Sequence, residues 1–159
     1  MKFIADIMVG KLARYLRMAG NDVLYINNIS DDEILKIAKS EGRIVLTRDS
    51  LMLLRRPFKN NSIKSVFIKD DRVIKQLKQI KNDLRISLKP NLLRCLECNT
   101  ELSKSQKENL KDKVPPYVYK TQKDFLHCPK CDKYYWRGTH YDNINNTFKL
   151  INTTEPDGI

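Results

Sequence analysis

The four cysteines of the sequence form two Cys-x-x-Cys pairs, Cys95 with Cys98 and Cys128 with Cys131. Two such pairs, each in a tight turn, can direct four thiolates at one tetrahedral ion, and Zn²⁺ is the usual occupant of a four-cysteine site. Because four protein thiolates leave no open coordination position, the spacing predicts a structural zinc centre. The 29 residues between the pairs predict an inserted excursion between the two turns.

Other roles for these cysteines fit the sequence less well. Two disulfides would need an oxidising compartment, and we see no secretory signal that would lead there. A redox pair would need a thioredoxin-like βαβ pattern, which does not surround either motif. His127, next to Cys128, is an alternative metal ligand. Because this part of the sequence has short apolar runs and few helix signals, we expect zinc to contribute much of its folding free energy.

Three carboxylates follow predicted strands in the first part of the chain. Asp6 ends a short apolar strand, and Asp49 closes the run Ile44-Val45-Leu46-Thr47-Arg48-Asp49. An apolar run too short for a helix is typical of a central strand buried on both faces. The last polar residues of parallel strands emerge at the carboxyl rim of the sheet, where open α/β sheets bind their ligands. Asp31 begins a helix after the second strand, so we expect it on the same rim.

If Asp6, Asp31 and Asp49 converge, repulsion between their carboxylates would raise the free energy of the site without a metal. A divalent cation would relieve that repulsion. Oxygen-only ligands select Mg²⁺ or Mn²⁺ over Zn²⁺. Such a site suits phosphodiester hydrolysis, in which the metal activates a water and stabilises the leaving oxygen. An alternative for Asp31, and for its neighbour Asp32, is a position at a helix start that the helix dipole favours.

The elements that position these residues alternate between strand and helix. Strands are predicted over residues 3–5, 23–26, 44–46 and 65–68, and helices over 11–19, between Ser30 and Gly42, over 51–54 and over 73–84. This alternation predicts right-handed βαβ units and a mainly parallel sheet flanked by helices, hence an α/β fold. The alternation stops at residues 89–91. We therefore predict a first domain over residues 1–88, a small second domain over 92–150 built around the four-cysteine zinc site and a flexible tail over 151–159.

The chain is basic, with 30 Lys and Arg residues against 19 Asp and Glu, a formal charge of +11. An excess of this size favours a polyanionic partner, nucleic acid first and an anionic membrane second. Residues 1–88 hold 18 basic and 10 acidic side chains, so most of the excess belongs to the first domain. Its first helix places Lys11, Arg14 and Arg17 opposite the apolar side, where they would hold a nucleic-acid backbone by charge. Arg48 either reaches a phosphate or pairs with a neighbouring carboxylate.

Membrane association and secretion do not fit the sequence. No apolar run approaches the roughly 20 residues that span a bilayer. An acid at position 6 comes too early for a signal peptide. We therefore expect a cytoplasmic protein with no membrane partner.

The order of the motifs is more specific than any one of them. Asp6 is followed by residues 11–20 (Lys-Leu-Ala-Arg-Tyr-Leu-Arg-Met-Ala-Gly), Asp31, residues 46–49, both Cys-x-x-Cys pairs and residues 135–140 (Tyr-Trp-Arg-Gly-Thr-His). With these motifs the chain resembles the Mut-seven C-terminal RNase family over nearly all of residues 1–150. That family is described as a PIN-like domain followed by a C-terminal zinc ribbon.

The resemblance implies a metal-dependent ribonuclease that acts on RNA, with the three acids of the predicted rim at the acidic positions of the fold. Asp31 is matched through the spacing of its helix start, and a shift of one residue would select Asp32. No fourth acid is matched securely, although Asp70 and Asp71 follow the fourth strand. One-metal and two-metal chemistry therefore both stay open.

A function of a different class would use the same residues. A non-catalytic RNA-binding adaptor would bind RNA through the basic helix and the ribbon, while the acids serve as helix caps and ion pairs. Divalent-dependent cleavage separates this alternative from a ribonuclease. The aromatic residues 134–136 beside Arg137 either build the small core or stack on unpaired bases. A dinucleotide-binding domain is disfavoured because no G-x-G-x-x-G or P-loop follows any strand.

Overall fold

A computed structural model describes residues 1–153 of the chain, apart from the side chain of His140. Its centre is a sheet made by β1 (Lys2–Ala5), β2 (Asp22–Tyr25), β3 (Ile44–Thr47) and β4 (Ser65–Phe67). All neighbouring strands run parallel, in the spatial order β2-β1-β3-β4. This arrangement confirms the predicted α/β class with a mainly parallel sheet.

Helices cover both faces of the sheet. They are α1 (Gly10–Met18), α2 (Asp31–Glu41), α3 (Arg56–Lys59) and α4 (Val73–Asp83). Successive side chains of a strand point to opposite faces. Phe3 packs with α1 and α4 on one face, whereas Ile4 packs with α2 and α3 on the other. The sheet is thus the middle layer of three, which explains why β1 and β3 read as nearly continuous apolar runs.

Local signals set the ends of two helices. Ser30 Oγ accepts from Glu33 N at 3.3 Å and the Glu33 carboxylate accepts from Ser30 N at 3.0 Å, which completes the predicted capping box of α2. Gly42 ends that helix with a φ of 64°, a left-handed conformation that glycine adopts without strain. We did not predict α3 from the sequence. Pro57 lies in its first turn, where a missing N–H removes no helical hydrogen bond.

The cysteine-bearing part of the chain forms a second, antiparallel sheet. Its strands are β5 (Ser103–Ser105), β6 (Phe125–Cys128) and β7 (Lys133–Tyr135), in the order β5-β6-β7. The excursion between β5 and β6 contains the 3-10 helix Lys107–Leu110 and the helix α5 (Pro116–Thr121). Leu110, Val114 and Phe125 are buried there, and Tyr134 and Trp136 pack against them. These two aromatic side chains therefore build the small core.

A last helix, α6 (Thr139–Asn152), was not predicted from the sequence. Its apolar side chains recur at helical spacing and pack on the α1 face of the sheet; they are Tyr141, Ile144, Phe148 and Ile151. Asparagines at positions 143, 145 and 146 obscure this period because their helix propensity is low. The helix includes residues 151 and 152 of the predicted tail, and residues 154–159 lie outside the described residues. No helix within residues 1–153 is long and apolar enough to cross a membrane.

The predicted boundary at residues 89–91 lies inside one hydrophobic cluster. Leu88 and Leu92, on either side of it, join the same cluster as Leu12 and Phe148. In addition, Asn152 Nδ2 donates to the Leu88 carbonyl at 3.0 Å. The part of the chain over residues 92–150, called the ribbon segment below, therefore packs directly on α1 and α4 and shares their core.

Candidate active site and metal centre

The carboxyl ends of β1 and β3 lie side by side at the centre of the sheet. The chain leaves β1 for β2 through α1 on one face, and it leaves β3 for β4 through α3 on the opposite face. Where the connections of two neighbouring parallel strands diverge in this way, a crevice opens outside their carboxyl ends, and open α/β sheets bind ligands there. Asp6 follows β1 directly and Asp49 follows β3 closely, so the structure places both acids at this switch point.

Thr47, the last residue of β3, connects the two acids. The Thr47 hydroxyl donates to Asp6 Oδ2 at 2.6 Å. The Thr47 hydroxyl oxygen also accepts from the backbone N–H of Asp49 at 2.9 Å. Asp6 Oδ1 accepts from Met8 N at 3.1 Å. Because Thr47 is fully buried and Asp6 is 8% exposed, water competes little for these bonds. The network fixes Asp6 and the backbone of Asp49 relative to the end of the sheet.

Asp49 directs one carboxylate oxygen at the following turn. Its Oδ1 accepts from Leu51 N at 2.8 Å and from Met52 N at 3.3 Å, which is an Asx-type cap. Within the part of the chain that the structure describes, no hydrogen bond reaches its Oδ2. The neighbouring Arg48 is half-buried and forms no hydrogen bond or ion pair with any described residue. Asp49 therefore keeps one oxygen free at the rim.

Asp31 also lies at the carboxyl ends of the strands, but it is outside this hydrogen-bond network. It shares the first turn of α2 with Asp32, and both acids approach Arg55, which follows β3. Arg55 Nη1 is 4.0 Å from Asp31 Oδ2, and Nη2 contacts Asp32 Oδ1. The Asp31 side chain is 53% exposed and that of Asp32 is 83% exposed. The structure thus connects the Asp6 carboxylate with the backbone of Asp49 through Thr47, whereas it pairs Asp31 with a cation.

The three acids offer carboxylate oxygens, the donor type that Mg²⁺ and Mn²⁺ prefer. Among residues 1–153, only the four cysteines bring three or more potential ligand atoms within 4.8 Å of one another. The donor chemistry of Asp6, Asp31 and Asp49 therefore fits such a cation, while their side chains are engaged with protein partners in this arrangement. Their catalytic role stays a prediction.

The two candidates for a fourth acid differ in their surroundings. Arg72 Nε and Nη2 each lie 3.0 Å from a carboxylate oxygen of Asp70, and Lys75 Nζ lies 3.7 Å away. The hydrogen bonds from Arg72 hold the pKa of Asp70 well below its usual range. Asp71 is exposed. Asp70 therefore stays ionised but is already paired with two cations.

A cleft of about 710 Å³ lies between α1, the end of β2 and the first Cys-x-x-Cys turn. Lys11 and Arg14 line it from α1, and Leu96 and Glu97 line it from the turn. Arg14 Nη2 is 2.7 Å from Glu97 Oε1, and the two side chains are 52% and 42% exposed. Exposed ion pairs of this kind stabilise a fold little, so Arg14 can exchange this carboxylate for another anion at small cost.

The structure corrects the prediction for Arg17, which was expected to contact RNA. Its side chain is 3% exposed. Its Nε donates to the Val23 carbonyl at 2.9 Å, and its Nη1 donates to the Leu96 and Glu97 carbonyls at 2.8 Å each. Arg17 does lie away from the apolar side of α1, but the ribbon segment covers the part of the helix surface that carries Arg17. A helical period within one element cannot reveal such a covering, and Arg17 is not among the RNA contacts proposed below.

The four cysteine sulfurs all lie within 4.8 Å of one another. Cys98 Sγ and Cys128 Sγ are 3.5 Å apart. Zn–S bonds of about 2.3 Å in a tetrahedron separate the sulfurs by about 3.8 Å, so the cluster fits one Zn²⁺. The Tyr135 hydroxyl lies 3.1 Å from Cys95 Sγ, so it would orient this sulfur toward an ion, as outer-shell groups of metal sites commonly do.

The thiols of Cys98 and Cys131 have pKa values that their surroundings shift in opposite directions. Burial raises the pKa of Cys98, but hydrogen bonds with Thr100 and with the neighbouring thiols outweigh it and lower that pKa to about 6. A hydrogen bond with Cys98 raises the pKa of Cys131 to about 12. Negative charges on sulfurs this close repel one another, and a bound cation would offset that repulsion.

His127 does not belong to the cysteine cluster. Its Nε2 lies 2.8 Å from Asp132 Oδ1, and its ring stacks on that of Tyr134 with 4.7 Å between the ring centroids. With four thiols together and its ring nitrogen paired elsewhere, His127 is not needed as a ligand.

A family model described as the Mut7-C RNAse domain matches residues 1–148. The chain belongs to the Mut7-C RNAse domain family. The matched region contains the switch point, the cleft and both cysteine pairs, and it confirms the resemblance that the order of motifs suggested. Comparisons with curated proteins and with solved structures gave no match.

The Mut7-C RNAse domain is of ribonuclease type by its description, which makes RNA the substrate class of the family. Three residues around its candidate sites were not predicted from the sequence: Thr47, Arg55 and Glu97. Thr47 had a signal, since a hydroxyl residue at the end of a buried strand stands beside the predicted acid. Arg55 and Glu97 had none, because their partners lie 23 and 83 residues away in sequence.

Proposed function

We propose that this Mut7-C RNAse domain hydrolyses RNA phosphodiester bonds at the carboxyl rim of its parallel sheet, with Mg²⁺ or Mn²⁺ as the catalytic cofactor. The observation that carries the proposal is that Asp6 and Asp49 follow neighbouring parallel strands at the switch point, where the Thr47 hydroxyl donates to the Asp6 carboxylate and accepts from the backbone N–H of Asp49. The ribonuclease type of the family supports RNA as the substrate.

Asp6, Asp49 and Asp31 hold the cation in this proposal, as their positions in a PIN-like fold imply. The bound cation would activate a water and neutralise charge on the phosphate. Thr47 keeps Asp6 Oδ2 oriented by donating to it. Asp31 reaches the site by releasing Arg55, and the freed guanidinium can then bind a phosphate.

The RNA backbone follows the cleft between α1 and the ribbon segment. Lys11 and Arg14 bind phosphates there, and Arg48 binds one at the rim. The four cysteines hold a structural Zn²⁺. This ion fixes the first cysteine turn, which carries Glu97 and forms one wall of the cleft. We also place the protein in the cytoplasm, where thiols stay reduced and such a centre persists.

Cleavage of labelled RNA by zinc-loaded protein, with and without added Mg²⁺ or Mn²⁺, tests the function. We omit chelators because they would also remove the structural zinc. Cleavage is expected only with the added cation, and its rate should saturate with the cation concentration. Equal cleavage without added Mg²⁺ or Mn²⁺ would show that the acids do not act through such an ion.

A non-catalytic RNA-binding adaptor is the second candidate function. It is favoured by the engagement of the acids with protein partners: Asp6 and Asp49 accept backbone hydrogen bonds, and Asp31 pairs with Arg55. An adaptor would bind RNA through the cleft and leave it intact with Mg²⁺ and with Mn²⁺. Intact RNA together with tight binding would therefore select the adaptor over the ribonuclease.

Replacing Lys11 and Arg14 together by Ala should weaken RNA binding under either function. Each phosphate contact contributes a slope of about −0.7 to −0.9 in a plot of log K against log salt concentration. The double variant should therefore flatten the measured slope by about 1.4 to 1.8. Fluorescence anisotropy with labelled RNA at several salt concentrations gives this slope.

The matched control is the double Ala variant of Lys36 and Lys39. Both are exposed lysines of α2, on the sheet face opposite α1, and their removal changes the net charge equally. Their loss should leave the salt slope nearly unchanged. Equal flattening in both variants would mean that RNA responds to net charge and not to the cleft.

A further inference from the structure

Arg17 is a buried cation that has no carboxylate partner among residues 1–153. Its three hydrogen bonds all go to backbone carbonyls, those of Val23, Leu96 and Glu97, at 2.8 to 2.9 Å. The Glu97 carboxylate pairs with Arg14 instead. Because a buried charge is costly without a counter-charge close by, Arg17 requires a negative group that these carbonyls do not supply.

The thiolate centre is the negative group beside Arg17. Leu96 and Glu97, whose carbonyls both accept from its Nη1, lie between the ligands Cys95 and Cys98. One Zn²⁺ with four thiolates carries a net charge of about −2. Burial lowers the pKa of Arg17, and negative charge on Cys95 and Cys98, followed by that on Glu97, opposes that effect.

We propose that Arg17 is a positioning residue of the zinc centre: α1 supplies the buried counter-cation of a tetrathiolate that the ribbon segment holds. The same guanidinium fixes the turn between Cys95 and Cys98 through the two carbonyl bonds. This inference rests on the zinc centre and does not depend on the proposed RNA hydrolysis.

The arrangement connects zinc occupancy with the parallel sheet. Asn99, next to Cys98, accepts from Val23 N at 2.9 Å and donates to Asp22 Oδ1 at 2.7 Å. Arg17 and Asn99 thus attach the first cysteine turn to α1 and to the edge strand β2. Because α1 also lines the cleft, loss of zinc loosens the proposed RNA-binding surface as well as the ribbon segment.

Three substitutions separate charge from hydrogen bonding. Arg17→Lys keeps the charge but loses the paired donors, and Arg17→Gln keeps an N–H donor but loses the charge. Lys36→Gln is the control, because it removes an exposed cation from α2, on the sheet face opposite α1 and the cysteine turn. The zinc dissociation constant of the full chain is measured by competition with a chromophoric chelator at one pH.

Arg17→Gln should weaken zinc binding by about 10-fold to 100-fold, Arg17→Lys by less than about fivefold, and Lys36→Gln not at all. Wild-type zinc affinity in Arg17→Gln would overturn the proposal. So would an equal loss in Arg17→Lys and Arg17→Gln, because the charge would then contribute nothing beyond the carbonyl contacts.

Hydrogen exchange of the unaltered protein tests the same connection if Arg17→Gln does not fold. We compare the zinc-loaded protein with protein whose zinc has been removed by a chelator. Amides of α1 and β2, Val23 among them, should exchange at least about tenfold faster without zinc, whereas those of α2 should change less. Unchanged protection of α1 and β2 after complete zinc loss would overturn the proposal.

Discussion

Asp49→Asn should lower the rate of RNA cleavage by roughly a thousandfold. Removing this carboxylate charge weakens both the hold on the catalytic cation and the stabilisation of the transition state, together about 4 kcal/mol. The rate is measured under single-turnover conditions, on zinc-loaded protein with labelled RNA and saturating Mg²⁺ or Mn²⁺. Cleavage at the wild-type rate would contradict a catalytic role for this rim.

Asp49 isolates the effect of charge better than Asp6 does. The amide oxygen of an asparagine at position 49 can still accept from Leu51 N and Met52 N, as Asp49 Oδ1 does. At position 6, by contrast, an amide N–H group could face the Thr47 hydroxyl and disturb the network. The Asp49 variant should therefore keep the melting temperature and the RNA affinity of the wild type.

Asp31→Asn and Asp32→Asn form a matched pair of variants. The two acids are neighbours in the first turn of α2 and both contact Arg55, so either change removes one partner of the same cation. With Asp31 as the third ligand, Asp31→Asn should slow cleavage strongly and Asp32→Asn by less than about threefold, since exposed pairs contribute little. The reverse order would assign the third position to Asp32.

The parallel sheet was predictable because local patterns agree with final burial. The run of residues 44–46 is apolar throughout, and β3 is indeed covered on both faces. The capping box at Ser30 and the glycine at position 42 gave the limits of α2, since both act within one helical turn. Features that depend on contacts over a few residues, such as helix ends, can therefore be predicted without knowledge of the tertiary structure.

Arg17 and α6 show where patterns within one element fail. The helical period correctly placed Arg17 away from the apolar side, but the surface opposite that side is covered by residues about 80 positions later in sequence. In α6, asparagines interrupt the helical spacing of the apolar residues. The spacing is recognised only when the structure shows Phe148 and Ile151 in the core. Both cases depend on contacts between distant parts of the chain.

The acids show a different limit. The alternation of strands and helices predicted that Asp6, Asp31 and Asp49 all follow the carboxyl ends of parallel strands. The observed topology agrees, since they follow β1, β2 and β3. Which carboxylates approach each other, however, depends on partners such as Thr47 and Arg55. The sequence therefore predicts which residues share the rim, whereas their convergence on a cation depends on side-chain packing and on the cation itself.

Cys128→Ser should abolish binding of the proposed structural zinc and lower the melting temperature by about 10 °C or more. Structural zinc contributes strongly to folding, so loss of one ligand costs more than about 4 kcal/mol. In a chain of 159 residues, each kcal/mol corresponds to about 2–4 °C. Elemental analysis gives the zinc content per chain, and calorimetry gives the melting temperature.

His127→Gln is the control for the choice of ligands. His127 neighbours Cys128 in sequence and pairs with Asp132, so its loss should leave one zinc per chain and a melting temperature close to that of the wild type. Zinc loss in the His127 variant, or full zinc content in Cys128→Ser, would contradict a centre made of four thiolates.

The number of thermal transitions decides how far the zinc centre stabilises the rest of the protein. Leu96, within the first cysteine turn, and Phe148 of α6 belong to the same buried cluster as Phe3 and Leu12. Unfolding of the ribbon segment would therefore expose the core against which the parallel sheet packs. Cys128→Ser should shift one cooperative transition as a whole. Two transitions, of which only one moves with zinc, would mean that the sheet and its helices are stable without the ribbon segment.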